Sequence, residues 1–285
     1  MESHKEYELQ DLPYNREIIF SNHKNIYKKG IEKRQKKLLK KCAFIKPFLM
    51  EDEEIYLITT GCSPISVLEQ FFMGWVVFYA KRSLFVFTNK RVFHIPTNTD
   101  YSYRNSIAQI AYADCKSIAL KGRKLVIKYA AGETDNFLYI ASKEKNKIKS
   151  ILENISFVEC HTEKRKMVHL CPRCTEPLEE DKYTCPNCRL EFKNKDDAMK
   201  ISLIYPGGGY FYTRHPFLGL GDAITETVLI LLLVTAVIET VNRSVYDGVF
   251  IFGIALILEK ILTVYDSNRF IKEYIPREKE IGLFA

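Results

Sequence analysis

The sequence predicts an α+β protein in three unlike parts: a β-rich domain closed by a helix, a small four-cysteine module, and a helical hairpin able to cross a membrane. Three observations carry that prediction. Apolar and polar residues alternate in short runs, with turn residues between them, from about residue 54 to residue 140. Two Cys-Pro-x-Cys pairs, Cys171–Cys174 and Cys185–Cys188, stand ten residues apart. Two apolar runs then follow, Thr227 to Ile238 and Val249 to Leu258.

With 285 residues, 47% of them hydrophobic and 27% charged, the chain has room for two or three small domains with cores of their own. The formal charge of +7 is modest but unevenly placed, which points to contact with an anionic surface, either lipid head groups or nucleic acid. Eight cysteines could build a secreted disulfide scaffold, yet the opening MESHKEYELQDLPYN has no apolar core of the kind a signal peptide needs. Cys42, Cys62, Cys115 and Cys160 are scattered and read as reduced thiols, so the soluble part is expected to face a reducing cytosol.

Residues 1–50 read as a basic helical lead-in. Between Lys24 and Lys41 the chain carries Lys28, Lys29, Lys33, Arg34, Lys36, Lys37 and Lys40 as well. Ile26, Ile31, Leu38 and Leu39 form a thin apolar stripe, which predicts a helix starting near Ser21 or Asn22. Such a helix is either a solvated element packed lightly on the next domain or a polybasic element drawn to an anionic leaflet. The latter attraction is worth about 1 kcal/mol per cation near the surface.

Residues 51–156 change period from helical to alternating. Runs beginning at Glu54, Gly74, Ser83, Arg91, Ile107, Ser117, Lys124 and Asn136 read as strands, and Gly74-Trp-Val-Val-Phe-Tyr is counted among them. Turn signals fall at Thr88-Asn-Lys, Lys121-Gly-Arg and Ala131-Gly-Glu. Ser142, with Glu144 just inside, opens a helix whose face is Ile148, Ile151, Leu152 and Ile155.

Leu84-Phe-Val-Phe-Thr88-Asn89-Lys90-Arg91 resembles the strand and turn of bacterial PH-like (GRAM-related) domains, and Ile110-Ala-Tyr-Ala-Asp-Cys-Lys-Ser-Ile118 resembles the segment that follows there. The family usually has Pro and Ile where this chain has Ala111 and Cys115. The resemblance implies a PH-like β-barrel capped by its C-terminal helix. In eukaryotic relatives of that fold, loop cations hold lipid head groups by charge-assisted hydrogen bonds. Lys81, Arg82, Lys90, Arg91, Lys121, Arg123 and Lys124 sit at strand ends and turns here. Together with the lead-in, the candidate contacts to an anionic surface are Lys36, Lys37, Lys40, Lys41, Lys90, Arg91, Arg123 and Lys124. No catalytic constellation is evident.

A polar linker, 157–170, leads to the cysteine module at 171–193. Pro172 and Pro186 pre-set the backbone of two tight turns, each presenting two sulfurs, and two such turns facing each other suit tetrahedral Zn²⁺. The pattern resembles a rubredoxin-type zinc ribbon, with Cys171, Cys174, Cys185 and Cys188 as ligands of a structural ion. Disulfides or inert thiols are the alternative. His161 and His169 are left out as solvated neighbours. The loop between the pairs sets Glu176, Glu179, Glu180 and Asp181 against Lys182, which repels nucleic-acid phosphate and favours a spacer or a protein-docking module.

Residues 201–221 form a Gly/aromatic segment, Tyr205-Pro-Gly-Gly-Gly-Tyr-Phe-Tyr, expected at the membrane interface. It is similar to the entry segment of small prokaryotic two-helix membrane hairpins, and distantly to the two-transmembrane-helix domain family. His215 there reads as a polar interface residue, with titration or metal binding as the alternative. Transmembrane helices are expected over 222–241 and 248–266, with a cytosolic tail over 267–285. These spans include Glu226, Glu239, Glu259 and Lys260, and embedded charges want partners. In an antiparallel hairpin Glu226 and Lys260 come to similar depths, so they are expected to approach each other or the interface. The tail holds Arg269, Lys272, Arg277 and Lys279, against Arg243 in the loop, which places both termini in the cytosol.

The functional expectation is a non-enzymatic adaptor, integral to the cell membrane, that presents its β domain to lipid or to a protein partner. Two alternatives stay open. One is a membrane-tethered nucleic-acid-binding regulator using the ribbon and the basic helix. The other is a small transporter or intramembrane enzyme using the embedded carboxylates.

Overall fold

The computed structural model describes residues 12–67, 69–70, 74–155, 166–243 and 246–277. Two units divide it, one ending at Leu190 and one spanning Glu191–Arg277.

The first unit opens with helix α1 (Arg16–Ile19), capped by the Asn15 side chain, which accepts from Ile18 N at 3.0 Å. The basic helix α2 runs over Lys29–Lys41, later than the sequence predicts, because residues 22–28 form a turn closed by the Ser21–Tyr27 bridge. It is not lightly packed. Leu39, Cys42, Ile45 and Phe48 are buried, and the fully buried Gln35 amide bonds both the N–H and the carbonyl of Ile58 (3.1 and 2.9 Å). Arg34 reaches Glu144 at 2.8 Å, which fixes the helix at a second point.

Strands β1 (Ile55–Cys62), β2 (Arg82–Thr88), β3 (Arg91–Pro96) and β4 (Ile107–Ala111) pair antiparallel in sequence order, and β8 (Val168–Leu170) adds to the far edge of β4. A separate sheet holds β5 (Cys115–Lys121), β6 (Lys124–Tyr129) and β7 (Thr134–Phe137). The five-stranded sheet is covered on both faces. Leu57, Phe85, Phe87, Val92 and Ile110 pack with the second sheet and with helix α4 (Lys145–Glu153). Ile58, Leu84, Val86, Phe93 and Ile95 pack with the residues of the lead-in. Burial on both faces is why β2 and β3 read as nearly unbroken apolar runs.

Two expectations are corrected here. The β region is not a closed PH-like barrel but two open sheets. The edge of β4 away from β3 is taken by β8, so β5 does not join it. After β4 the chain turns through Tyr112–Asp114, and β5 starts a new ladder with an irregularity between Cys115 and Ser117. Among the described residues, β1 meets the segment after β7 only through the isolated bridge Cys62–Leu138 and the bond from Ala141 N to Thr60 O at 3.0 Å, which do not make a ladder. The segment at Gly74 is not a strand either: it forms a 3-10 turn (Gly74–Val76) and helix α3 (Val77–Ala80). Apolar runs of this length do not by themselves distinguish a strand from a helical turn.

The second unit holds α5 (Lys195–Ile204), α6 (Gly208–Tyr212), α7 (Pro216–Arg243) and α8 (Asp247–Ile271). Its ends are joined: Lys193 N donates to Ile275 O at 2.9 Å, and Arg277 N donates to Glu191 O at 3.0 Å. Arg277 also holds Asp197 at 2.7 Å. The glycines of 207–209 permit close helix approach. Gly207 has φ +68°, and a Cβ there would lie 2.1 Å from Gly219 O, while one on Gly208 would lie 2.4 Å from Ile201 O. At 28 and 25 residues, α7 and α8 extend about 42 and 38 Å at 1.5 Å per residue. Both are long and apolar enough to cross a membrane. Only 11% and 6% of their most apolar windows is buried, which separates them from the core helices of a soluble protein.

Candidate functional site

The four cysteines converge. Their sulfurs all lie within 4.8 Å of one another, with Cys171–Cys188 and Cys174–Cys185 each at 3.5 Å. Disulfides would stand at about 2.05 Å. Sulfurs around tetrahedral Zn²⁺, with bonds of about 2.3 Å, stand about 3.8 Å apart, so the spacing fits a metal and not a disulfide.

Both turns are built alike. Thr175 N donates to Cys171 O (2.9 Å) and Arg189 N to Cys185 O (3.1 Å), and Thr175 and Arg189 both adopt positive φ. Cys171 N then donates to Glu176 O and Cys185 N to Leu190 O, each at 2.9 Å. Backbone N–H groups of Arg173 and Cys174 face the Cys171 sulfur, and those of Asn187 and Cys188 face Cys185. Such donors favour thiolates, whereas burial pushes the Cys171 and Cys174 thiols up. A cation would resolve that conflict, so these residues fit a zinc ion. The module is docked rather than hung on a linker, because β8 leads directly into Cys171 and pairs His169 opposite Ala108. His169 is half-buried in β8, and burial of its ring lowers its pKa to about 4, so it is less exposed than the solvated neighbour expected from the sequence.

The candidate surface cations fare differently from one another. Arg91 is buried, with its guanidinium on Glu53 (2.7 to 3.2 Å) and on Phe48 O (2.8 Å). Lys90 is paired with Asp52. Lys81, expected on the surface, is also buried, with Glu69 at 3.4 Å. Lys36 pairs with Glu32 at 2.7 Å, Lys41 bonds Asp100 O, and Lys37 and Lys40 are exposed. Arg123 bonds Ile140 O at 3.1 Å and Lys124 is exposed.

In the second unit Lys260 Nζ lies 2.7 Å from Glu226 Oε2 and donates to Ser202 O at 2.7 Å. Glu259 and Asp222 join this group: oxygens of Asp222, Glu226 and Glu259 lie within 4.8 Å of one another, and Thr263 Oγ1 contacts Asp222 (3.0 Å) and Glu259 (2.8 Å). Glu226 is fully buried, and its Oε1 has no hydrogen-bond partner among the described residues. Glu239 stays apart, exposed toward the other end of α7. His215 is buried against Phe270, ring centroids 3.7 Å apart, with Nδ1 3.3 Å from Thr213 Oγ1; it is a packed residue, not an interfacial one. Sequence reasoning missed Asp222 and Thr263. Their signal was the i, i+4 spacing to Glu226 and Glu259 on two helices that are otherwise apolar there.

Compared with protein-family models, curated proteins and solved structures, the chain has no match.

Proposed function

We propose that the chain is a membrane-anchored, non-enzymatic adaptor, with the α7–α8 hairpin holding the α+β unit at a cytosolic membrane face to bind lipid or a protein partner. The observation that carries this reading is the surface of the hairpin. Leu231, Val237, Val241, Phe250, Ile251 and Ile257 are among many large apolar side chains left exposed on both helices. Patches of that size call for lipid or protein cover. Four cysteines would fill every position of a tetrahedral ion and leave none for a substrate, which supports a structural zinc. The anchor would raise the effective concentration of the α+β unit at the bilayer.

Membranes carrying the full chain, washed in high salt and then in alkaline carbonate, test the anchor. The chain is expected to float with lipid after both washes and to carry about one zinc ion. Release by carbonate would refute the anchor.

The carboxylate group favours a second reading, a helical unit that handles cations or protons. Among the described residues, three carboxylates face Lys260 and Glu226 Oε1 lacks a donor, which leaves negative charge that a proton or cation would balance. Uptake by proteoliposomes of the chain, lost in Glu226→Gln at unchanged protein level, would support it; equal flux in both would exclude it.

A further inference from the structure

Resting on the anchored reading above, we infer that the α+β unit touches the bilayer through an aromatic and arginine patch around Trp75, and not through the Lys90–Arg91 turn. The patch begins with the helical segment that the sequence casts as a strand. In a strand, Trp75, Val77 and Tyr79 would share one face. In the helical turns, Val77 and Ala80 are buried instead, while Trp75 and Tyr79 remain 69% and 42% exposed.

The rings and cations form two clusters that meet in sequence at Phe78 and Tyr79. Trp75 and Tyr79 meet edge-on with centroids 5.5 Å apart, and the Arg82 guanidinium lies 4.3 Å from the Tyr79 ring and 5.2 Å from Tyr101. Phe78 packs on Tyr139 at 4.6 Å, and Arg123 lies 5.5 Å from that ring. Lys121 and Lys124 are exposed beside Arg123 at the tip of the β5–β6 hairpin. Asp100, in the loop whose Thr99 carbonyl accepts from Arg82, turns its carboxylate onto Ser102 N (3.0 Å) and Oγ (2.7 Å).

The base of the patch is held firmly. Ser66 and Glu69 form a reciprocal cap (2.6 and 3.1 Å), Glu69 pairs with buried Lys81, and Cys62 Sγ contacts Phe78 O at 3.6 Å. Large rings are therefore presented in place rather than waiting to fold inward. Tryptophan and tyrosine side chains mixed with cations have the composition of an interface belt, apolar enough for the head-group boundary and positive enough for anionic lipid. The candidate turn lacks both properties, since Arg91 is buried on Glu53 and Lys90 faces Asp52. Membrane-length helices in the same chain keep a bilayer within reach.

Trp75 is the chain's only tryptophan, so its emission reports on the patch alone. The full chain is reconstituted into vesicles of zwitterionic lipid with and without phosphatidylserine, each with brominated acyl chains or without. In anionic vesicles, brominated lipid is expected to quench Trp75 about twofold or more, as for an indole at the head-group level. Aqueous acrylamide should reach it less than in detergent. Lys121→Gln with Lys124→Gln, both exposed positions, should shift the docked equilibrium by roughly 30-fold through the loss of two cations. If the chain floats with the vesicles but Trp75 is indifferent to bromine and open to acrylamide, the inference is wrong while the anchor stands. Shielding from both quenchers would also overturn it, in favour of cover by protein. Failure to float would remove the anchored reading itself, and the inference with it.

Discussion

Replacing Arg91 with alanine separates a buried structural arginine from a surface one. Glu53 is fully buried, and its two oxygens receive Arg91 Nε at 3.0 and 3.2 Å, Nη2 at 2.7 Å and Thr88 Oγ1 at 2.7 Å. In Arg91→Ala the carboxylate keeps the bonds from Thr88 Oγ1 and Met50 N (3.1 Å) but loses its counter-charge, and Phe48 O loses its Arg91 donor. Breaking one side of a buried pair costs about 3–5 kcal/mol, whereas an exposed pair is worth about 0.2–1 kcal/mol. Hydrogen exchange of the β2–β3 amides in the detergent-solubilised chain measures the difference. Exchange through opening of this unit should accelerate by roughly 10²- to 10³-fold or more. Arg91→Met combined with Glu53→Met should recover much of the loss, since a buried pair is often replaceable by apolar residues of similar volume. A cost below about 1 kcal/mol for Arg91→Ala alone would refute the assignment and return Arg91 to the surface.

Three further outcomes follow from the geometry. Chelation of zinc, or Cys174→Ser, should release β8 from β4 and speed exchange at Val168–Leu170, because so small a module has little core without its metal. Unchanged protection there, with the metal shown to be gone, would contradict a metal-dependent fold. Gly207→Ala should destabilise the helical unit by about 3 kcal/mol or more, since the added Cβ meets Gly219 O at 2.1 Å on a positive-φ backbone; thermal melting in detergent reads it. His94 is buried between Ser63 Oγ (2.9 Å) and Ser83 Oγ (3.1 Å), and burial holds it at about 3, below its ordinary value near 6.5. Its neutral form therefore contributes stability that is complete above pH 6.5 and is lost as pH falls toward 3. The slope is about 1.4 kcal/mol per pH unit, and a His94→Gln variant should show a shallower decline in a denaturant series.

Legibility in the sequence followed the range of the physics. The cysteine turns were readable because a Cys-Pro-x-Cys knuckle is closed by bonds only four or five residues long, such as Thr175 N to Cys171 O. Strands β2, β3, β4 and β6 were readable from short apolar runs bounded by turn residues. The Gly74 segment was not, because the choice there depended on where Val77 could be buried. Among the charged residues, nothing local distinguishes Arg91, whose partner is 38 residues away, from Lys124, which remains in water.

By itself, then, the amino-acid order determined the metal-binding cysteine set, the two apolar helices and most strand positions, all of which are properties of neighbouring residues. Tertiary structure decided which strands pair. A barrel closes only when its first and last strands find each other's edges. Here β8 occupies the free edge of β4, and the chain leaves two open sheets instead. It also decided which charges are spent: Arg91 on Glu53 and Lys260 on Glu226 are held inside by partners that only the folded chain brings within reach. Desolvation makes such pairing obligatory once a charge is buried, and burial is a property of the whole fold.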